Sequence, residues 1–206
     1  MPRQQRGVNS SGVHVRPAPN RGPAAAAANR IAILAAAREL FRREGYRIPF
    51  SAISRAAGVA QAVMYRHFPT KLDVALAVFE ENLAELEALA ASTEPGAFWQ
   101  VWDRLVEMTI ESSAFVEIAV EARLQLPDYP GSARLEALLA DSLGRAQVDG
   151  LAPAELTAHD VLLTERMVYG VVASALAGAD SRESVDRALG LVGWVASRPS
   201  RGPGGR

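Results

Sequence analysis

Apolar residues recur with the period of an α-helix along most of the chain, and no stretch shows the strict alternation of a half-buried strand. The first run begins at Pro23, a residue suited to the first turn of a helix, and ends at Gly45. Its apolar stripe consists of Ile33, Leu34, Ala37, Leu40 and Phe41. The pattern predicts an all-α protein with about nine helices.

Two short helices joined by a glycine corner are predicted after this run. Phe50, Ile53 and Ala57 share one face of the earlier helix, and Pro49 is suited to open it. Gly58 tolerates the positive φ that a sharp corner between helices often needs. The sequence therefore predicts a tight turn between two packed helices.

The segment after this corner separates apolar from polar positions. We expect Val63 and Met64 to face inward, and Gln61 and Arg66 to face outward. In a helix-turn-helix, the second helix presents such a polar face to the major groove of DNA. The pair of helices is therefore interpreted as a DNA-reading unit.

Four short motifs lie in order within this region: Leu40-Phe41, Gly45-Tyr46, Ala57-Gly58-Val59, and the run from Tyr65 through Phe68 to Lys71. Over residues 33–76 the chain resembles the TetR family of bacterial transcriptional regulators. The resemblance implies an N-terminal three-helix DNA-binding head with a helix-turn-helix, followed by a larger helical domain for ligand binding and dimerisation. The chain departs from the family at Ala60, where the family has Ser or Thr, and a missing cap of this kind costs about 1 kcal/mol.

The candidates for DNA contact are Ser51, Gln61, Ala62, Tyr65, Arg66, His67 and Lys71. Gln61 is the candidate base reader, because Gln pairs bidentately with adenine in the major groove, and Ala62 offers a methyl contact. Tyr65, His67 and Lys71 resemble the phosphate clamp of the family, and Ser51 is placed to donate to a phosphate. Two alternatives stay open for Arg66, guanine or phosphate, and His67 has the alternative of a packed, hydrogen-bonded ring.

Charge is distributed unevenly along the chain. Residues 1–75 have a balance of +9 and residues 76–206 a balance of −10, which gives the net charge of −1. A basic N-terminal third favours contact with phosphates, whereas the acidic remainder is repelled by DNA. Arg38, Arg42 and Arg43 lie off the apolar stripe of the first helix, as a solvated face or as phosphate contacts.

Four segments follow from these patterns. Residues 1–22 and 199–206 are rich in Pro, Gly and Arg and are predicted to be disordered tails. The first tail is either a solvated segment or an arm that strengthens DNA binding. Residues 23–70 form the predicted DNA-binding domain, and residues 71–198 form the predicted effector-binding and dimerisation domain.

A long helix is predicted from Leu72 to the Thr93-Glu94-Pro95-Gly96 stop, with acidic residues such as Glu80 and Glu81 on a solvated face. Further apolar runs predict helices around Trp102, then around Val116, Val120 and Leu124, and then from Leu135 to Asp149-Gly150. Thr157 and Asp160 form a capping signal for a helix that extends through Leu176. Ser181 is predicted to cap a single last helix carrying Val185, Leu189, Val192 and Val195.

The last two long helices carry the candidate dimer interface, which consists of Gly170, Ala173, Ser174, Ala177, Val185, Leu189 and Val192. Small side chains along one face allow close approach of another helix, so two copies are able to form a four-helix bundle. Ordinary packing within one chain is the alternative. The family resemblance implies the homodimer, and a two-fold dimer also fits a palindromic operator.

The middle helices are rich in aromatic and thioether side chains, and the resemblance implies that they enclose a pocket for a small-molecule effector. The candidate lining residues are Trp99, Trp102, Met108, Phe115, Tyr129, Arg166, Met167 and Tyr169. Arg166 and its neighbour Glu165 are the candidate polar contacts on an otherwise apolar helix. For each of these residues an ordinary core position is the alternative, and Arg166 and Glu165 have the further alternative of pairing with each other or with a partner subunit.

The sequence gives little support to an enzyme. It has no cysteine, its three histidines are scattered, and it has neither a G-x-S-x-G elbow nor a Gly-rich phosphate loop, so no catalytic or metal site and no cofactor is predicted. No apolar run approaches the roughly 18 residues of a membrane helix, which leads us to expect a cytoplasmic protein. We interpret the chain as a DNA-binding regulator, most simply a repressor released by an effector. The alternative is a helical adaptor, small-molecule-binding protein or enzyme without DNA binding.

Overall fold

The computed structural model of the protein describes residues 22–112, 114–126, 128–175 and 180–198, so nearly all of both predicted tails lies outside the described residues. Its helices are α1 (Pro23–Glu44), α2 (Phe50–Ala56), α3 (Gln61–His67), α4 (Lys71–Ala90), α5 (Ala97–Glu111), α6 (Ala114–Gln125), α7 (Gly131–Val148), α8 (Ala158–Ala173), α9 (Ser181–Leu189) and α10 (Gly193–Ala196). No strand occurs in these ranges. The all-α prediction is confirmed, with ten helices in the described part of the chain where about nine were predicted.

Helices α1, α2 and α3 pack together, and α1 joins this group to α4. Ile33, Phe41, Ile53 and Met64 are buried where these helices meet, with at most 2% of their surface exposed. The predicted turns use the left-handed backbone region, at φ +74° for Gly45 and +66° for Gly58. An L-residue at either position is strained, which explains why glycine ends α1 and turns the chain between α2 and α3.

Helix α4 runs from this group of helices into the rest of the molecule. Thr70 and Asp73 form a reciprocal capping box at its start, where the Thr70 side chain accepts from Asp73 N–H and the Asp73 carboxylate accepts from Thr70 N–H. The helix buries Phe79, Leu83 and Leu86 against α5, α6 and α7. Any movement of α4 is therefore transmitted to α1–α3.

The acidic residues of α4 remain partly exposed, as predicted, and they also pair with arginines of α1 and α7. Glu80 and Glu87 both accept from Arg134 of α7, each at 2.7 Å, and Glu81 pairs with Arg38 of α1. Their partners lie more than 40 residues away along the chain, so the local sequence around α4 does not reveal these ion pairs. These carboxylates fasten α4 to its neighbours.

Helix α6 forms where the apolar run of Val116, Val120 and Leu124 predicted a helix, but of these three residues Val116 alone is buried. Val120 is 54% exposed and Leu124 is 73% exposed. Phe115, Ile118 and Ala122 are buried instead. Because α6 is apolar on several sides, spacing alone does not select the buried face.

The single last helix predicted from Ser181 is instead two helices separated at Gly190-Leu191-Val192. Asp180, and not Ser181, caps α9 by accepting from the backbone N–H groups of Arg182 and Glu183. After the break, Trp194 lies 4.9 Å from Trp102 and 5.7 Å from Trp99, measured between ring centroids. Packing of this partly buried indole against the two buried tryptophans accompanies the change of direction.

Two further boundaries bear on the predictions. The Thr157 and Asp160 capping box is present at the start of α8, as predicted, and α8 ends at Ala173. Leu176 and Ala177 lie outside the described residues. Among the helices that are described, none is both long enough and apolar enough to cross a bilayer.

Candidate nucleic-acid interface and ligand cavity

Four of the seven predicted DNA contacts share the outer side of α3. Gln61, Ala62, Tyr65 and Arg66 are all exposed, whereas Met64 on the opposite side is 1% exposed. Positions i, i+1, i+4 and i+5 of a helix cover one continuous arc. The arrangement brings an amide, a methyl group, a phenol ring and a guanidinium to one exposed surface.

Helix α2 positions the aromatic part of this surface. The Tyr65 ring meets the Phe50 ring edge-on, with centroids 5.2 Å apart and an interplanar angle of 79°. Tyr65 nevertheless remains 55% exposed, which leaves it accessible to a partner. Ser51 lies in the first turn of α2 and is half-buried, as is His67 in the last turn of α3. The start of α3 at Ala60 has no side-chain cap, as the sequence predicted.

Lys71 has a structural role that the sequence did not indicate. Its Nζ donates to the carbonyl oxygens of Tyr46 at 3.0 Å and Ile48 at 3.2 Å, and it lies 4.2 Å from the centroid of the Tyr46 ring. The ammonium group thus ties the start of α4 to the loop between α1 and α2. An ammonium has three protons, so one remains for a further acceptor. The phosphate contact of Lys71 stays a prediction.

Further cations lie on the same part of the molecule. Arg43, Arg47 and Arg55 are exposed, and within the described ranges none of them forms an ion pair, in contrast to Arg42, which pairs with Glu39 at 2.8 Å. Unpaired arginines are available for phosphates. The sequence analysis did not select Arg47 or Arg55, and the charge asymmetry was the only signal that included them.

Two hydrogen bonds connect the α1–α2 region directly to the helices beyond α4. The Tyr46 N–H donates to Glu117 Oε2 of α6 at 3.2 Å, and the Ser112 hydroxyl donates to the Phe41 carbonyl at 3.1 Å. Beside the first contact is a crevice that Tyr46, Lys71 and Tyr169 also line. Tyr169, predicted for the effector pocket, therefore lies at this junction.

A separate cavity of about 480 Å³ lies between α4, α6, α7 and α8. Phe79, Phe115, Val116, Leu135 and Leu162 contribute apolar wall, and Glu136, His159, Glu165 and Arg166 contribute the ionisable groups. Its volume is in the range of ordinary small-molecule sites. Of the eight residues predicted for an effector pocket, Phe115 and Arg166 are the two that line this cavity.

The other six predicted pocket residues are dispersed. Trp99, Trp102 and Met108 are core residues with at most 5% exposure, and Trp99 also donates from its indole to the Leu151 carbonyl at 2.9 Å. Tyr129 donates its hydroxyl proton to Glu80 at 2.5 Å. Met167 is 54% exposed on the outside of α8. The aromatic and thioether composition pointed to the middle helices as the place of a pocket. It did not distinguish the residues that line the cavity from those that belong to the core.

Glu165 is the buried ionisable group of this cavity. Its side chain is 6% exposed, and its Oε1 accepts from the Thr109 hydroxyl of α5 at 2.8 Å. No described residue forms a hydrogen bond with the other carboxyl oxygen of Glu165. Within the described residues every fully buried side-chain oxygen has a hydrogen-bond partner, so this oxygen must be partly accessible, and it borders the cavity that Glu165 lines. Burial raises the pKa of the Glu165 carboxyl, against the opposing effects of the Thr109 hydrogen bond and the Arg166 charge.

Three of the seven predicted dimer residues lie on the outer side of α8 and at its end. Gly170, Ala173 and Ser174 are exposed, and a Cβ built on Gly170 meets nothing within 4 Å. Leu163, 48% exposed, and Met167 extend this face toward the start of the helix. Small residues at these positions are thus not required by packing within the chain. On α9, Val185 is fully buried inside the chain and Leu189 is half-buried, so Val185 does not belong to an outer surface.

The family match and the similar solved structures described below are all of TetR-type regulators or share their fold. Residues 33–78 match the family described as bacterial regulatory proteins, tetR family. The chain is similar to the TetR transcription regulatory protein from Mycobacterium vanbaalenii, with 28% identity over 72% of this chain and 95% of that one, at a TM-score of 0.51.

Two further solved structures share the fold. The TetR transcriptional regulator SCO0520 from Streptomyces coelicolor is 24% identical over 84% of this chain and 99% of that chain, with a TM-score of 0.58. A gamma-butyrolactone receptor described as ArpA-like is 20% identical over 78% of this chain and 95% of that chain, with a TM-score of 0.52. Among curated proteins, none matches the chain.

Proposed function

The chain belongs to the TetR family of DNA-binding transcriptional regulators, and on that premise we propose that it is a repressor that binds a palindromic operator as a dimer and is released by a small-molecule effector. The observation that carries the proposal is the exposed arc of α3. Gln61 and Arg66 supply base-reading groups, and Tyr65, supported by Phe50, supplies an aromatic hydroxyl for the phosphate backbone.

The electrostatics of the chain favour this orientation on DNA. Arg43, Arg47 and Arg55 supplement the cations of α3, whereas the residues from 76 onward carry a balance of −10. The basic region is attracted to the duplex and the acidic region is kept away from it. Ser51, His67 and Lys71 complete the proposed set of phosphate contacts.

The exposed face of α8 supports the dimer. Leu163, Met167, Gly170 and Ser174 recur every three or four residues along it, and Gly170 and Ser174 allow a second helix to approach closely. A two-fold axis through this face would present two copies of α3 to successive major grooves of a palindrome.

An effector would act through the cavity between α4, α6, α7 and α8. Its walls include Phe79 of α4, the helix that carries α1–α3, and a gamma-butyrolactone receptor with the same fold illustrates that this architecture serves a ligand-responsive protein. A ligand changes operator affinity only if it binds one arrangement of the two DNA-binding heads better than the other.

Gel shift with fragments of the source genome, including the DNA upstream of the gene, tests the proposal. The wild-type protein and a Gln100→Ala control, which changes an exposed residue of α5, are expected to retard the same fragment, whereas Tyr65→Ala loses at least about tenfold in affinity. Sedimentation should show a dimer at micromolar concentration. Absence of any retarded fragment, or a monomer throughout, would refute the corresponding part.

A further inference from the structure

We propose that the cavity between α4, α6, α7 and α8 takes an apolar organic amine, whose protonated nitrogen pairs with the inward-facing oxygen of Glu165 while its hydrocarbon body lies against Phe79 and Phe115. The inference names the chemical class of the effector, and only its regulatory consequence rests on the proposed function.

Glu165 is buried beside the cavity with few hydrogen-bond donors around it. The side chain is 94% removed from solvent, since 6% of it is exposed, and Thr109 satisfies one of its two oxygens. The Thr109 hydroxyl also lies 3.2 Å from the Leu105 carbonyl, and its single proton is shared between the two acceptors. A carboxyl group that borders an apolar cavity with so few donors lacks hydrogen bonds to its oxygens. A ligand with several N–H donors supplies these hydrogen bonds.

The burial of Glu165 also lowers the desolvation cost of binding a cation. Folding has already removed Glu165 from water, so an incoming ammonium does not have to desolvate its partner. The low dielectric of the site then strengthens the charge-assisted hydrogen bond. The apolar part of the wall favours a hydrocarbon body, because the Phe79 and Phe115 rings stack with centroids 5.1 Å apart beside aliphatic residues such as Val116, Leu135 and Leu162.

The remaining ionisable groups of the cavity suggest a rival occupant. Arg166 and His159 of α8 would favour a carboxylate ligand, and Glu136 of α7 would oppose it. All three side chains are exposed, so water screens their interactions. Among the described residues that line this cavity, Glu165 is the only ionisable one that is buried, and its preference therefore dominates at the inner end.

Three probes that share one hydrocarbon body separate these possibilities: phenylbutylamine, phenylbutanol and phenylbutyrate. Their affinities for the full-length protein are measured by isothermal titration calorimetry in the absence of DNA. Wild-type protein is expected to bind the amine at least about tenfold more tightly than the alcohol, and the butyrate most weakly.

Two variants locate the preference. Glu165→Gln retains an oxygen that accepts from Thr109 but removes the charge, and the preference for the amine over the alcohol should fall to about twofold or less. Asp141→Asn, which removes an exposed carboxylate of α7 that does not line the cavity, should keep it. Thermal melting verifies that both variants fold, and the wild-type probe series is decisive even if one of them does not.

The inference is overturned if the amine and the alcohol bind equally, if the butyrate binds most tightly, or if no probe binds. It is also overturned if the preference for the amine survives Glu165→Gln. Operator binding by the wild-type protein without amine is measured separately. If operator binding is intact and the amine does not bind, only the ligand class is wrong. If the amine binds to a protein that recognises no DNA, the proposed function is wrong instead.

Discussion

The backbone N–H of Tyr46 donates to the Glu117 carboxylate at 3.2 Å, and this contact joins the loop after α1 to helix α6. The carbonyl of the same residue accepts from Lys71 at the start of α4. One loop residue is thus held by two helices that also line the proposed ligand cavity through Phe79 and Phe115. A ligand that shifts α6 relative to α4 has a direct physical route to the DNA-binding end of the molecule.

Replacing Glu117 should loosen this junction locally. Glu117→Ala removes the acceptor of the Tyr46 N–H, and a hydrogen bond to a charged group contributes about 1.5–3 kcal/mol. We expect hydrogen exchange at the Tyr46 amide to quicken by about tenfold or more, as measured by NMR or mass spectrometry. Glu121→Ala, one turn further along the crevice, is the control and should leave that amide unchanged.

Lys71 should matter for stability as well as for DNA. Lys71→Met removes donors to the Tyr46 and Ile48 carbonyls and is expected to lower the free energy of unfolding by about 1–3 kcal/mol. Urea denaturation measures this loss. Arg47→Met, at an exposed cation of the same loop, should change stability by less than about 0.5 kcal/mol. Equal stability of Lys71→Met and wild type would leave Lys71 with a DNA role alone.

Gln61 and Arg43 should affect DNA binding in different ways. Gln61→Ala is expected to cost about 1–3 kcal/mol on the operator and to relax the preference at one base pair. Arg43→Ala should weaken binding to all sequences alike and reduce the slope of log affinity against log salt by about one. Fluorescence anisotropy on an operator and its single-base variants, at several salt concentrations, distinguishes the two. A uniform loss for Gln61→Ala would assign Gln61 to the backbone.

The turns and the reading helix were predictable because their causes are local. Gly45 and Gly58 stand where the backbone takes positive φ, and the inward position of Met64 follows from the helical period. The break after α9 was not predictable, since Gly190 has a φ of −62° and the change of direction comes from Trp194 packing on residues about 90 positions earlier. The place where such a helix ends depends on contacts with residues far away along the chain. The spacing of apolar residues does not show these contacts.

The candidate sites divide in the same way. The exposed arc of α3 could be read from one short helix, whereas the cavity is assembled from four helices and its main polar group is fixed by Thr109, 56 residues away. Lys71 was recognised by motif, but its contacts with Tyr46 and Ile48 depend on how α4 meets a loop more than 20 residues earlier. A motif identifies a residue without identifying all of its partners.

Gly131 should be intolerant of a side chain because of Tyr129. A Cβ at this position would lie 2.7 Å from Tyr129 Cζ, and the ring is held by its hydrogen bond to Glu80. Gly131→Ala is expected to lower stability by about 1–3 kcal/mol, whereas Gly144→Ala on the same helix meets nothing within 4 Å and should be neutral or stabilising by up to about 1 kcal/mol. Thermal unfolding compares the two, and similar melting temperatures would count against the steric explanation.

The buried carboxyl of Glu165 should give the protein a characteristic dependence of stability on pH. Its pKa is raised above the ordinary 4.5, chiefly by burial, so between that value and its folded-state pKa the folded protein binds more protons than the unfolded chain. The contribution of this group to stability is therefore complete below pH 4.5 and is lost as the pH rises through the folded-state pKa.

Glu165→Gln has no such proton to lose, so its stability relative to wild type should increase steadily across that window and then level off. The Thr109 hydroxyl, which donates to either side chain, is retained in the comparison. Urea denaturation at a series of pH values measures the difference between the two proteins. A difference that stays constant with pH would show that the carboxyl titrates alike in the folded and unfolded states.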